Sequence, residues 1–162
     1  EGETALVEAV KQALTGAKRV ADLFAGCGTF ALPLAKDAMV HAVEGDRDMV
    51  NALDHAWRNA EGLKRVTHEV RDLFRNPLLP DELAKFDAAV IDPPRAGAAA
   101  QVAEIAQAGI PRIAHVSCSP ATFARDTATL IRAGYDVEWI KVVDQFRWST
   151  HVELVALLRR DN

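Results

Sequence analysis

The sequence predicts an α/β fold built on a doubly wound, mostly parallel sheet whose last strand is reversed. Three observations predict it. Short apolar runs rich in valine, alanine and isoleucine alternate with segments of helical spacing along most of the 162 residues, as expected for parallel strands buried on both faces. The first of these runs ends in a glycine turn, G-x-G. The last two runs follow one another with about seven residues between them, too few for a helical crossover.

Taken in order, residues 3–14 carry Leu6, Val7, Val10 and Leu14 at helical spacing and stop before Gly16. RVADLF (19–24) reads as a buried strand, followed by the glycine turn and a helix over residues 29–36. MVHAVEG (39–45) is the second strand, and Asp46 stands where it can cap a helix running to Ala60. VTHEV (66–70) is the third strand and FDAAVID (86–92) the fourth, ending at a double proline. A helix over residues 98–108 leads to RIAHVS (112–117), the fifth strand, and then to a helix over residues 120–133. YDVEWIKVV (135–143) and HVELVALL (151–158) close the chain as a hairpin, so the last strand runs against the rest. No repeat or linker divides the chain, and residues 1–162 form one domain large enough to bury a core.

No apolar run approaches the roughly 20 residues that span a bilayer, and no signal-peptide layout opens the chain. Two cysteines cannot make a disulfide framework, which points to a reducing, cytoplasmic setting. At least one strand should separate the first from the fifth, a gap of roughly 10 Å, so Cys27 and Cys118 are not expected to pair. The chain opens at Glu1 rather than methionine, as an excised domain, a processed protein or one with a purification scar would.

Ligands of such sheets gather at the carboxyl ends of the parallel strands, and four polar segments fall there. In DLFAGCGTF, Gly26 and Gly28 allow a tight turn and close backbone approach to a ligand. Glu44 ends the second strand, where an acid can accept both hydroxyls of a ribose. Together they indicate an adenosine-containing cofactor. Asp72, after the third strand, either reaches an adenine edge or caps a turn. DPPRAG (92–97) sets Asp92 on a ledge stiffened by Pro93 and Pro94. Methyl transfer to exocyclic amines often places an aromatic after such a pair, to stack the base. Arg95 stands there instead, which favours a substrate needing charge.

Cys118 ends the fifth strand, with Ser119 as a natural N-cap and Pro120 as a natural first helical residue. A thiol beside a helix N-terminus is favoured as thiolate, which prepares a nucleophile; the alternative is a structural cysteine at a strand end. Glu153 opens the reversed strand and so lies at the same sheet edge. It is either a base facing the site or an edge glutamate in water. Cys27, the variable residue between two glycines, is read as structural.

DLFAGCGTFALPLA, VEG, DPPRAG, SCSPATFARD and DQFRWSTHVE, in that order, resemble the uracil-C5 RNA methyltransferases that use S-adenosylmethionine, and the likeness covers residues 22–158. It implies a Rossmann-like class I methyltransferase domain with S-adenosyl-L-methionine as cofactor. By position it implies that Asp22, Phe24, Gly26, Gly28, Thr29, Glu44, Asp72 and Asp92 hold the cofactor. Cys118 becomes the nucleophile and Glu153 the base, while Pro93, Arg95 and Arg125 fall to the substrate. It implies no metal in this domain. Ser119 stands where the family often has asparagine or aspartate, Thr29 where it often has asparagine, and Arg147 replaces a frequent proline.

The chemistry needs this pair of residues. Carbon 5 of uracil attacks a methyl group only after a thiolate has added to carbon 6, and a base must then remove the carbon-5 proton. The expected partner is ribosomal or transfer RNA, although a net charge of −4 suits phosphate binding poorly. RNA is therefore expected to be gripped mainly by an amino-terminal barrel outside this chain. Arg71, Arg75, Arg95, Arg125 and Arg147 are candidates for a local basic rim. Two rivals remain. G-x-G-x-x-A also suits a nicotinamide-dependent dehydrogenase, which leaves DPPR and Cys118 without roles; a non-catalytic cofactor-binding adaptor leaves Cys118 and Glu153 without them.

Overall fold

The computed structural model describes residues 1–144 and 152–161. Seven strands form one sheet: β1 (Arg19–Leu23), β2 (Met39–Glu44), β3 (Val66–Val70), β4 (Ala88–Ile91), β5 (Arg112–Ser117), β6 (Asp136–Asp144) and β7 (Val152–Arg159), in the spatial order β3-β2-β1-β4-β5-β7-β6. Strands β1 to β5 pair in parallel, and β7 runs antiparallel to both β5 and β6. This is the expected sheet with its reversed last strand. β4 separates β1 from β5, and both cysteines are free, as the spacing argument requires.

Burial on both faces explains why the central strands are continuous apolar runs: β4 is buried at every position, and β1 everywhere except Arg19. One face packs under α1 (Gly2–Ala13), α2 (Ala31–Leu34) and α3 (Arg47–Arg58), with Val10, Val20, Leu34 and Leu53 in a single cluster. The other packs under α4 (Pro80–Leu83), α5 (Ala99–Ala108) and α6 (Pro120–Arg132), around Leu83, Ile91, Ile105 and Leu130. Asp46 caps α3, its carboxylate accepting from the amides of Asp48 at 2.8 Å and Met49 at 3.2 Å.

Two elements depart from expectation. The helix expected over residues 29–36 is the single turn α2, because Pro33 has no amide hydrogen to continue the ladder and residues 26–30 stay in turns. A four-residue helix carries almost no macrodipole, and the amides of the glycine turn are used within the protein, Gly28 donating to the Ala25 carbonyl at 3.1 Å. The other is α4, which alternation alone does not reveal. It starts at Pro80, and the Glu82 carboxylate accepts from the Leu79 amide at 2.8 Å.

Candidate active site

Strand order reverses between β1 and β4, and a cleft of about 510 Å³ opens at the carboxyl ends of the strands there. Its walls include Phe24, Glu44, Asp72, Phe74, Asp92 and Pro93. Five of these were expected from sequence. Phe24 turns the chain out of β1 with φ 63°, the one positive φ outside glycine among the described residues. An aromatic residue is strained there, and its ring meets Phe74 with centroids 5.3 Å apart. Phe74 was not anticipated. The signal available was an aromatic residue two positions after the acid that follows the third strand.

Glu44 ends β2 with its carboxylate held by the Gly26 amide at 3.1 Å and the Asp46 amide at 3.4 Å. The glycine turn and the acid are therefore one unit. A side chain at Gly28 would be strained, because its φ is 99° and a Cβ would crowd Leu32 at 3.1 Å and Leu53 at 3.2 Å. Thr29 lies in the same turn, half-buried. The cap reading of Asp72 is observed directly. It lines the cleft, and it also caps a turn by accepting from the Phe74 amide at 2.9 Å and the Arg75 amide at 3.4 Å.

Asp22 and Asp92 carry the strongest electrostatics. Asp22 is 0% exposed, and neither carboxylate oxygen has a hydrogen-bond partner among the described residues. Burial above all, then the charge of Asp92, raise its pKa well above the ordinary value; the Ala31 amide pulls against them, and the charge of Glu44 adds the smallest push. Asp92 is pushed up to about 7 by burial, then by the charges of Glu153 and Glu44. Four acids from four segments thus act on one another at this edge. Among the described residues no three His, Cys, Asp or Glu side chains gather as metal ligands.

The β5–β7 ladder ends with Ser117 opposite Leu154. Cys118 and Glu153 are the next residue on each side, both half-buried. Burial raises the Glu153 carboxyl above its ordinary pKa. Ser119 caps α6, its hydroxyl accepting from the Thr122 amide at 3.5 Å.

The arginines divide. Arg95 and Arg75 are exposed. Arg71 is only 11% exposed and is bound to Glu82 at 2.9 Å, Glu69 at 3.2 Å and the Pro77 carbonyl at 2.8 Å, so it braces α4 and does not join a rim. Arg125 pairs with Asp126 at 3.1 Å. Arg147 lies outside the described residues.

His115, in β5 beneath this edge, was not singled out from sequence. It is fully buried against Phe123, with ring centroids 4.8 Å apart; Nδ1 lies 3.4 Å from the Thr127 hydroxyl and Nε2 has no partner among the described residues. Burial lowers its pKa to about 4, partly offset by the charge of Asp126. The native state therefore binds this proton less readily than the unfolded chain, so the contribution is complete above about pH 6.5 and is lost as pH falls toward 4. In urea titrations the stability advantage of the wild type over His115→Leu should shrink by about 2 kcal/mol between pH 7 and pH 5. A constant difference would mean that the imidazole is not buried neutral.

The family profile described as tRNA (Uracil-5-)-methyltransferase matches residues 4–161. A protein described as an uncharacterized RNA methyltransferase of Rhizobium meliloti is 56% identical over 98% of this chain. A 23S rRNA (uracil(1939)-C(5))-methyltransferase, RlmD, of Thiobacillus denitrificans is 43% identical over 88%. The chain spans 38% of the length of the first and 34% of the second. Among solved structures, the Pyrococcus abyssi tRNA (uracil-54, C5)-methyltransferase in complex with S-adenosyl-L-homocysteine superposes with a TM-score of 0.81 at 29% identity, over 96% of this chain and 38% of that one.

Proposed function

Because this chain belongs to the tRNA (uracil-5-)-methyltransferase family, whose methyl donor is S-adenosylmethionine, we propose that it is the catalytic domain of an RNA (uracil-C5)-methyltransferase. It places a methyl group on carbon 5 of a uridine in ribosomal or transfer RNA through an adduct between Cys118 and carbon 6. The observation that supports this most is the end of the β5–β7 ladder, where Cys118 and Glu153 each adjoin the last pair, Ser117 opposite Leu154, and the Glu153 charge acts on Asp92 in the cleft.

The residues present fit the cofactor. When bound, S-adenosylmethionine supplies an electrophilic methyl group on a sulfonium sulfur. The unpartnered Asp22 oxygens and the nearby Asp92 suit a molecule with cationic sulfonium and ammonium centres. Glu44, already oriented by two amides, would accept hydrogen bonds from the ribose hydroxyls; Phe24 and Phe74 would give the adenine an apolar wall, and Asp72 lines the same cleft. Gly26, Gly28 and Thr29 shape the turn around it.

On the substrate side, the Cys118 thiolate adds to carbon 6, and the electron pair of the 5,6 double bond moves toward the carbon-4 carbonyl. Carbon 5, so activated, would accept the methyl group that the bound cofactor supplies, the electrons of the broken bond remaining with the cofactor. Glu153 then accepts the carbon-5 proton; those electrons restore the double bond and expel Cys118 as thiolate. Pro93 and Arg95 face the uridine from the turn after β4. With a net charge of −4, RNA affinity rests mainly on protein outside this chain.

Full-length protein incubated with cofactor and uridine-containing RNA should yield 5-methyluridine by nucleoside mass spectrometry, and methylation elsewhere would refute the assignment. Glu44→Ala should weaken cofactor binding by about 1.5–3 kcal/mol, the value of hydrogen bonds to a charged group. Calorimetry giving equal affinities would remove Glu44 from the site.

A further inference from the structure

The turn that follows Asp92 is tied to α6 by three side chains on one face of that helix. Thr122 Oγ1 donates to the Arg95 carbonyl at 3.0 Å, and Arg125 Nη2 donates to the Ala96 carbonyl at 3.0 Å. Asp126 Oδ2 accepts from the Ala98 amide at 2.8 Å, while its Oδ1 accepts from Arg125 Nε at 3.1 Å. Asp126 is 1% exposed, so its charge is usable only in this arrangement. Between these anchors the Gly97 amide closes the turn on the Pro94 carbonyl at 2.9 Å. Gly97 has φ 79°, and a Cβ there would fall 2.4 Å from Arg125 Nη2 and 2.8 Å from Asp126 Oδ2. Turn and helix therefore touch backbone to side chain with nothing between them.

What the contact joins gives it meaning. β4 and β5 pair directly, Ile91 opposite His115, and the chain leaves the sheet shortly after each. Beyond the strands, the segment with Asp92, Pro93 and Arg95 and the segment with Cys118 lose the ladder that set their spacing. The three bonds from α6 restore it, because α6 starts two residues after Cys118. We propose that Thr122, Arg125 and Asp126 are positioning residues that hold the turn of residues 93–97 at a set distance from Cys118 during methyl transfer. The inference rests on Cys118 being the nucleophile. It gives Arg125, whose Nε and Nη2 bind Asp126 and the Ala96 carbonyl, a role distinct from the substrate contact its place in the motif suggests. Displacing reacting groups by about 1 Å can cost on the order of a hundredfold in rate.

The test uses Thr122→Val, Thr122→Ser and Arg125→Gln, which leave the buried Asp126 in place. In this chain alone, amide exchange at Ala98 should be slow and should quicken in Thr122→Val and Arg125→Gln. In the full-length protein, single-turnover methyl transfer at saturating cofactor and RNA should fall roughly ten- to a hundredfold in those two variants, with the KM for RNA within about twofold of wild type. Thr122→Ser keeps the donor and should match wild type in both measurements. The proposal is overturned if exchange quickens while the transfer rate holds, because the turn would then be tied without its spacing mattering. It is also overturned if Arg125→Gln raises the KM for RNA and leaves kcat alone, which would return Arg125 to the substrate. A wild-type protein that methylates no uridine would sink the assigned reaction first and the positioning role with it.

Discussion

Asp92→Asn is expected to make the chain more stable while removing its hold on the cofactor. A carboxyl whose folded pKa is raised costs stability: the native state keeps the proton longer, so the penalty is absent below the ordinary value and complete once pH passes the folded one. For Asp92 the window runs from 3.8 to about 7. The variant should therefore exceed wild type by about 4 kcal/mol at pH 8 and by about 2 kcal/mol at pH 5. At pH 8 that is roughly 10 °C in Tm for a domain of this size. His115 works in the opposite direction over nearly the same range, so the wild-type curve hides both slopes and only the single variants expose them. Cofactor binding should separate the two costs. S-adenosylmethionine should raise the Tm of the wild type by mass action and leave that of Asp92→Asn unmoved. Equal stability of the two proteins at pH 8 would mean that no charge penalty is stored at this edge. Storing it is the usual exchange of stability for function.

The sheet could be read from the sequence because strands buried on both faces leave uninterrupted apolar runs, and because the seven-residue gap before the last strand forces a hairpin. The placement of Glu44, Asp92, Cys118 and Glu153 at one sheet edge could be read because each lies where a strand begins or ends, and topology brings such positions together. Other features had no local signal. The length of α2 depended on one missing amide at Pro33. Phe74 reaches the cleft only because Asp72 folds its own turn. Arg71 looks like a free cation in the sequence, yet it is spent on partners that the fold supplies, and the half-exposed Arg125 also gives Nε and Nη2 to Asp126 and the Ala96 carbonyl. The unpartnered Asp22 carboxylate and the buried His115 imidazole are properties of packing, visible only once both faces of the sheet are covered. Sequence placed chemistry at positions; the division of labour among like residues required contacts.

Cys118→Ala and Glu153→Gln are expected to fail at different steps on the same uracil ring. Carbon 5 is inert until sulfur has added at carbon 6, so Cys118→Ala in the full-length protein should give neither methylated RNA nor a covalent complex. Glu153→Gln keeps the thiol and the cleft and loses only the acceptor of the carbon-5 proton. It should add Cys118 to the ring, accept the methyl group and then stall, with RNA attached to protein. Removing a general base typically costs about 10²–10⁴-fold, and release of product should slow by that much. With cofactor carrying a labelled methyl group, a denaturing gel reads the difference: label shifted to the protein–RNA complex for Glu153→Gln, and no labelled RNA for Cys118→Ala. The raised pKa of Glu153 suits the role, since burial makes its carboxylate a stronger base than one in water. If Glu153→Gln releases methylated RNA at the wild-type rate, another group takes the proton. Asp92 would then be the acid to replace next, because its carboxyl already feels the Glu153 charge and its pKa of about 7 is matched to a base working near neutrality.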